Sequence, residues 1–162
     1  MLRVALAITV LLSTGPGHAA ASDVPHHLEV SLVDWRGFAP GAFFLDMVPA
    51  GELSRRGDAP LGPPRIDAVM RERLRLVVSR ERFFELKKSY GAEVIEGRFR
   101  AITVRLDGRR HSVTVNDLAE DDKPVDEIAR ALRVWYATLR AFSDPGTVRV
   151  EGQDRRFLGQ GN

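Results

Sequence analysis

Residues 99–115 read FRAITVRL, then Asp107-Gly108, then RRHSVTV. Two runs rich in β-branched residues, joined by an Asp-Gly pair, predict a hairpin, because that pair tolerates the left-handed backbone of a two-residue turn. The turn sets the register. Leu106 faces Arg109, Val104 faces His111, Ile102 faces Val113 and Arg100 faces Val115. This face is mostly apolar and is expected to look inward. On the other face Arg105 opposes Arg110, Thr103 opposes Ser112 and Ala101 opposes Thr114, a polar set expected to look outward.

On the C-terminal side, Leu118 to Lys123 reads as an acidic loop and Pro124 opens a helix. Asp126 and Glu127 fall in its first turn, where the helix dipole favours negative charge. Val125, Ile128, Leu132, Trp135, Tyr136, Leu139 and Phe142 make one apolar stripe, which Asp144-Pro145-Gly146 ends. Val148 to Val150 is expected as an edge strand, and residues 151–162 as a flexible tail.

On the N-terminal side, Val94-Ile95 suggests a short extended piece. Ile66, Val69, Met70, Leu74, Val77 and Val78 recur at helical spacing behind Pro63-Pro64, which predicts a helix starting there. Arg71, Arg73 and Arg75 alternate with Glu72, Leu74 and Leu76 in a rival strand pattern, but the helical set covers more residues. Residues 57–64 (GDAPLGPP) form a linker within the domain. Leu28 to Val33 alternates, Ala42 to Val48 is apolar and aromatic, and Glu52 to Arg56 returns as a short strand, giving a first hairpin. The expected fold is one α+β domain over residues 22–150. It has an antiparallel sheet of four to five strands, made of two hairpins and packed on one face by two helices. Ile102, Val104, Val113, Phe43, Leu45 and the Trp135 helix are expected to share one core.

Residues 1–21 read as an export signal. Arg3 precedes the apolar run Val4 to Leu12, Ser13 to Gly17 breaks it, and His18-Ala19-Ala20-Ala21 offers small residues for cleavage. The run is too short for a membrane span, which needs about 20 apolar residues. Cleavage after Ala20 or Ala21 would leave an exported chain of about 140 residues, a one-domain length. The sequence has no cysteine, so disulfides, thiolate catalysis, Cys-based zinc sites and a lipid-modified leader are excluded. The formal net charge is +2; without Arg3 it is 2 − 1 = +1. Arginine outnumbers lysine 21 to 3, and interleaved acids keep the surface from being uniformly basic. Near-neutral charge, export and the lack of an aromatic-plus-basic platform argue against nucleic acid.

Candidate chemistry is sparse. His26-His27 points opposite ways on an extended chain, with no acid at ligand spacing. Glu120, Asp121 and Asp122 lack the alternate spacing and bend glycine of a calcium loop, so no metal and no cofactor is expected. His111, on the apolar face of the hairpin, is the one candidate general base, with Asp107 and Asp117 near in sequence. A rim histidine that caps the core is the competing reading. Arg105 opposite Arg110 costs electrostatic energy. With Arg98, Arg100 and Arg109 close in sequence, it suggests an outer face that meets an anionic ligand or an envelope protein, unless nearby acids neutralise it.

The pattern Leu74-x-x-Val77-Val78-x4-Phe83-Phe84-x-Leu86-x3-Tyr90-Gly91, followed by Ile102-Thr103-Val104, Asp107-Gly108 and His111-x-Val113, resembles small exported bacterial domains of unknown function. Many of those carry a lipidation cysteine, absent here. The resemblance implies an exported α+β domain and assigns no catalytic residue. The functional expectation is an exported, non-enzymatic binding or accessory domain, periplasmic or extracellular, with Arg98, Arg100, Arg105 and Arg110 as binding residues. The alternatives are a small hydrolase-like enzyme using His111 with a nearby carboxylate, and an inhibitor or immunity-type partner protein.

Overall fold

The structure, a computed structural model, describes residues 27–37, 39–92, 97–119 and 121–159. The expected leader, His26, Val94-Ile95, Glu120 and the last three residues of the expected tail lie outside them. The chain is α+β. Three strands come first: β1 (Leu28–Arg36), β2 (Phe43–Met47) and β3 (Leu53–Gly57). Helix α1 (Ala68–Arg80), a 3-10 turn (Phe83–Glu85) and the two-residue β4 (Ser89–Tyr90) follow. The hairpin is β5 (Arg98–Leu106) and β6 (Arg109–Val115). Helix α2 (Val125–Ala141) and the four-residue α3 (Asp154–Phe157) complete the described chain.

The sheet has six strands in the order β3-β2-β1-β5-β6-β4. Every pair is antiparallel except β4 with β6, which is parallel, so the sheet is larger than the expected one and mixed. The two expected hairpins are there, but β1 and β5 join them along nine paired residues, from Leu28↔Leu106 to Arg36↔Arg98. The β5–β6 register is the one the turn dictates, Ile102↔Val113 and Arg105↔Arg110 included. Asp107 and Gly108 both hold left-handed backbone, φ +49° and +80°, as a two-residue hairpin turn requires.

Period-two alternation sorts the sheet into two faces. Leu28, Val30, Leu32, Phe43, Leu45, Met47, Ile102, Val104, Val113 and Val115 are buried on one of them. Helix α2 packs against β1, β5 and β6, and α1 lies beside α2. Within α2, Ile128, Leu132, Trp135, Tyr136 and Leu139 are buried as the stripe predicts, while Val125 is exposed. Ala129, Ala131, Val134, Thr138 and Ala141 are buried as well, because α2 meets the sheet, α1 and α3 together. Glu81, buried at the end of α1, accepts from Arg133 Nε of α2 at 2.8 Å and ties the helices to each other.

Three local expectations change. Helix α1 starts at Ala68, not at Pro63-Pro64, because residues 64–66 pair as extended chain with 51–53. Ile66 N donates to Gly51 O, and Leu53 N donates to Pro64 O. Asp67 then caps the helix, its Oδ1 accepting from Met70 N at 2.7 Å. Residues 148–150 belong to no strand. Residues 151–159 do not fray. They carry α3, with Asp154 and Phe157 buried. The reason is electrostatic as well as apolar. Glu151 and Asp154 meet arginines on the core face of the sheet, and Val150 and Phe157 enter the core.

Candidate anion-binding face

The outer face of the sheet carries half-buried or exposed side chains throughout. Along β1 these are Glu29, Ser31, Val33 and Trp35; along β5 they are Phe99, Ala101, Thr103 and Arg105; along β6 they are Arg110, Ser112 and Thr114. Strand pairing aligns them in rows. Glu29, Arg105 and Arg110 form one row, and Ser31, Thr103 and Ser112 form the next. Together Glu29, Ser31, Thr103, Arg105 and Arg110 line a cleft of about 240 Å3. Thr103 and Ser112 share a hydroxyl hydrogen bond of 2.8 Å, which fixes two side chains of the hydroxyl row. Arg105 approaches Glu29 at 3.6 Å, both partly in water. Arg110 has no carboxylate partner among the described residues. Two arginines are thus cross-strand neighbours, with Glu29 on β1 loosely held at the Arg105 side.

Arg98 and Arg100 do not join this face. Both lie on the core side of β5, as alternation from Ile102 and Val104 requires. Arg98 forks onto Asp34, Nε to Oδ1 at 2.9 Å and Nη2 to Oδ2 at 2.6 Å, and its Nη1 donates to Glu151. Arg36 bridges the same two acids, at 3.2 Å to Asp34 and 2.9 Å to Glu151. Arg100, 4% exposed, pairs with Asp154, 1% exposed. Tyr136 Oη donates to the same carboxylate at 2.6 Å and accepts from Glu151 N at 3.2 Å. Three arginines and three acids neutralise one another at this end of the core. The expectation that Arg98 and Arg100 belong to one surface with Arg105 and Arg110 is therefore corrected. Sequence reasoning missed this cluster. Its signal was the pair of charges at inward positions, Asp34 following Leu28, Val30 and Leu32, and Arg100 preceding Ile102 and Val104.

Burial first, then the neighbouring Asp154 carboxylate, pushes the Tyr136 hydroxyl above its ordinary range. For Glu151 burial pulls upward, yet Arg98 and Arg36 hold its carboxyl below the usual carboxylate value.

His111 is half-buried. Its Nε2 lies 2.9 Å from Leu86 O, and its ring meets Phe83 edge-on at 5.5 Å. No carboxylate is hydrogen-bonded to it among the described residues. Asp117 Oδ2 instead accepts from Arg98 N at 3.2 Å. His27 is exposed at the start of β1. In the acidic loop, Asp122 Oδ2 accepts from Ala119 N at 2.6 Å, a turn-closing role. The described residues contain no group of three His, Asp or Glu placed to hold a metal ion, and no helix among them is long and apolar enough to cross a membrane.

No protein-family model matches the chain, and a search of the curated proteins finds no relative.

Proposed function

We propose that this chain is an exported, non-enzymatic binding domain that takes an anionic group on the outer face of β5–β6, through Arg105 and Arg110. The observation that carries this reading is the direct Arg105↔Arg110 pairing, in which Glu29 is the one acid paired with either arginine among the described residues. Like charges opposite each other on a strand pair destabilise it by about 0.2–1 kcal/mol, and an oxyanion between them reverses the sign of that term. The hydroxyls of Ser31 and Thr103 line the same cleft and add hydrogen-bond donors. The surroundings of His111 support binding over catalysis. A backbone carbonyl engages its Nε2, and no acid stands by to orient it as a base.

The test is a sulfate titration of the mature chain at constant ionic strength, followed by the NMR signals of the arginine Nε–H groups. Saturable shifts at Arg105 and Arg110, lost in Arg105→Gln and Arg110→Gln, are expected. Equal shifts in the wild type and the variants would sink the reading.

A further inference from the structure

On the opposite side of the hairpin tip lies a second cleft, of about 230 Å3. Its walls are the end of α1 (Val78, Ser79), the turn after it (Arg82 to Glu85) and the hairpin (Leu106, Asp107, Arg109). The floor is apolar. Val78 and Phe83 are buried, and Leu106 packs against the core. The rim is charged, and its charges are sorted. Arg82 pairs with Glu85, and Asp107 lies in the field of Arg75. Arg109 lies with its guanidinium over the Phe84 ring, 4.4 Å from the centroid. That stacking fixes the plane of the fork and leaves its N–H edges without a carboxylate among the described residues.

Backbone strain marks the same place. Among the described residues, Arg82 and Asp107 are the two non-glycine residues with left-handed backbone, φ +52° and +49°, and both line this cleft. Asp107 has a local reason, the two-residue turn. Arg82 occupies the position just past the end of α1 where glycine is usual, and an arginine there is strained. Strain of this kind persists where surrounding structure over-determines it, and it clusters at binding sites.

We infer that this cleft is a binding site for a small aryl or branched-acyl carboxylate. The apolar group rests on half-buried Leu106 and Phe84, above buried Val78 and Phe83, and the carboxylate is met by the Arg109 fork. The volume suits one ring with a short acidic arm, below the usual range of about 300–1,000 Å3 for drug-sized ligands. The site is independent of the Arg105–Arg110 face, since Arg109 and Arg110 point to opposite sides of β6.

The experiment titrates the mature chain with phenylacetate, its neutral analogue phenylacetamide, and benzylamine, read by NMR. The expected result is saturable shifts at the Val78 and Leu106 methyls and at Arg109 Nε–H, with a Kd of about 1 mM or tighter for phenylacetate, a scale set by small-ligand efficiency. Phenylacetamide should bind about tenfold more weakly, the scale of a lost charge-assisted hydrogen bond. Arg109→Gln should remove that preference, and Arg110→Gln should leave it unchanged. Non-saturating shifts, equal binding of acid and amide, tighter binding of benzylamine, or equal losses in Arg109→Gln and Arg110→Gln would each overturn the assignment.

Discussion

Replacing Asp154 by leucine tests what holds the C-terminal segment to the fold. Asp154 is 1% exposed and is the carboxylate partner of Arg100, itself 4% exposed. Removing one member of a buried pair leaves an uncompensated charge and typically costs about 3–5 kcal/mol. That is a large part of the roughly 5–15 kcal/mol that keeps a domain folded. There is a relief route. If residues 150–158 lift off, water reaches Arg100, and the loss is capped at what docking them contributes. Val150 and Phe157 are the buried apolar side chains there, each contributing about 1.5–3 kcal/mol when fully buried. Cost and cap are therefore similar in size, and Asp154→Leu should lower stability by about 3 kcal/mol or more while loosening α3. Arg100→Met should do comparable damage by stranding Asp154. The double variant restores neutrality and apolar packing, so it should lie within about 1–2 kcal/mol of the wild type. Urea denaturation of all four proteins gives the cycle, and hydrogen exchange at residues 154–158 reports local opening. Single variants costing under about 1 kcal/mol, with unchanged exchange, would refute the buried-pair reasoning, because the two charges would then be solvated.

Two further outcomes follow from the structure and one from the sequence of the expected leader. A Cβ on Gly62 would stand 2.3 Å from Phe142 O and 2.8 Å from Ser143 Cα, so Gly62→Ala should destabilise by about 1–3 kcal/mol in thermal melts, the scale of overpacking. The chain has two tyrosines; burial, then the hydrogen bond to Glu127, pushes Tyr90 up to about 12, and Tyr136 is also raised. Their protonated forms stabilise the fold fully below the ordinary tyrosine value of about 10, and that contribution is lost as pH climbs through the folded values. Absorbance at about 295 nm should thus show little phenolate near pH 10 in the folded protein, and a normal tyrosine titration there would contradict the burial of both hydroxyls. For export, N-terminal sequencing of the natural product should begin near Ala21 or Ser22, and an intact Met1 would disprove it.

The register of the hairpin was legible to the residue because its turn and its alternation agree. Asp107-Gly108 sets the register, and Ile102, Val104 and Val113 say which face is inside. Helix α2 was legible for the same reason, a long apolar period behind Pro124. The start of α1 was not, because the proline pair that tolerates a helical first turn also tolerates extended chain. The pairing of 64–66 with 51–53, remote in sequence, decides between them. The joining of β1 to β5 was hidden too. Nothing local in Leu28–Arg36 names a partner 62 to 78 residues away.

The candidate site divided along that same line. Arg105 and Arg110 could be placed because their environment is local: each is the other's cross-strand neighbour. The partners of Arg98 and Arg100 could not, because Asp34, Glu151 and Asp154 come from both ends of the chain. The alternation that turns Ile102 and Val104 inward also turns Arg98 and Arg100 inward. An inward arginine needs an inward acid, since a lone buried charge would shift its pKa or unfold its surroundings. Asp34, at the inward position of β1 beyond Leu28, Val30 and Leu32, meets that need on the neighbouring strand. A second inward arginine, Arg100, then calls for a further acid from a covering segment. The segment 150–159, rich in charge and bearing Val150 and Phe157, is such a cover, which is why it folds onto the sheet. Arg110 has no such partner among the described residues, and that difference between two arginines ten residues apart separates a charge used for folding from one that the proposed function assigns to a ligand.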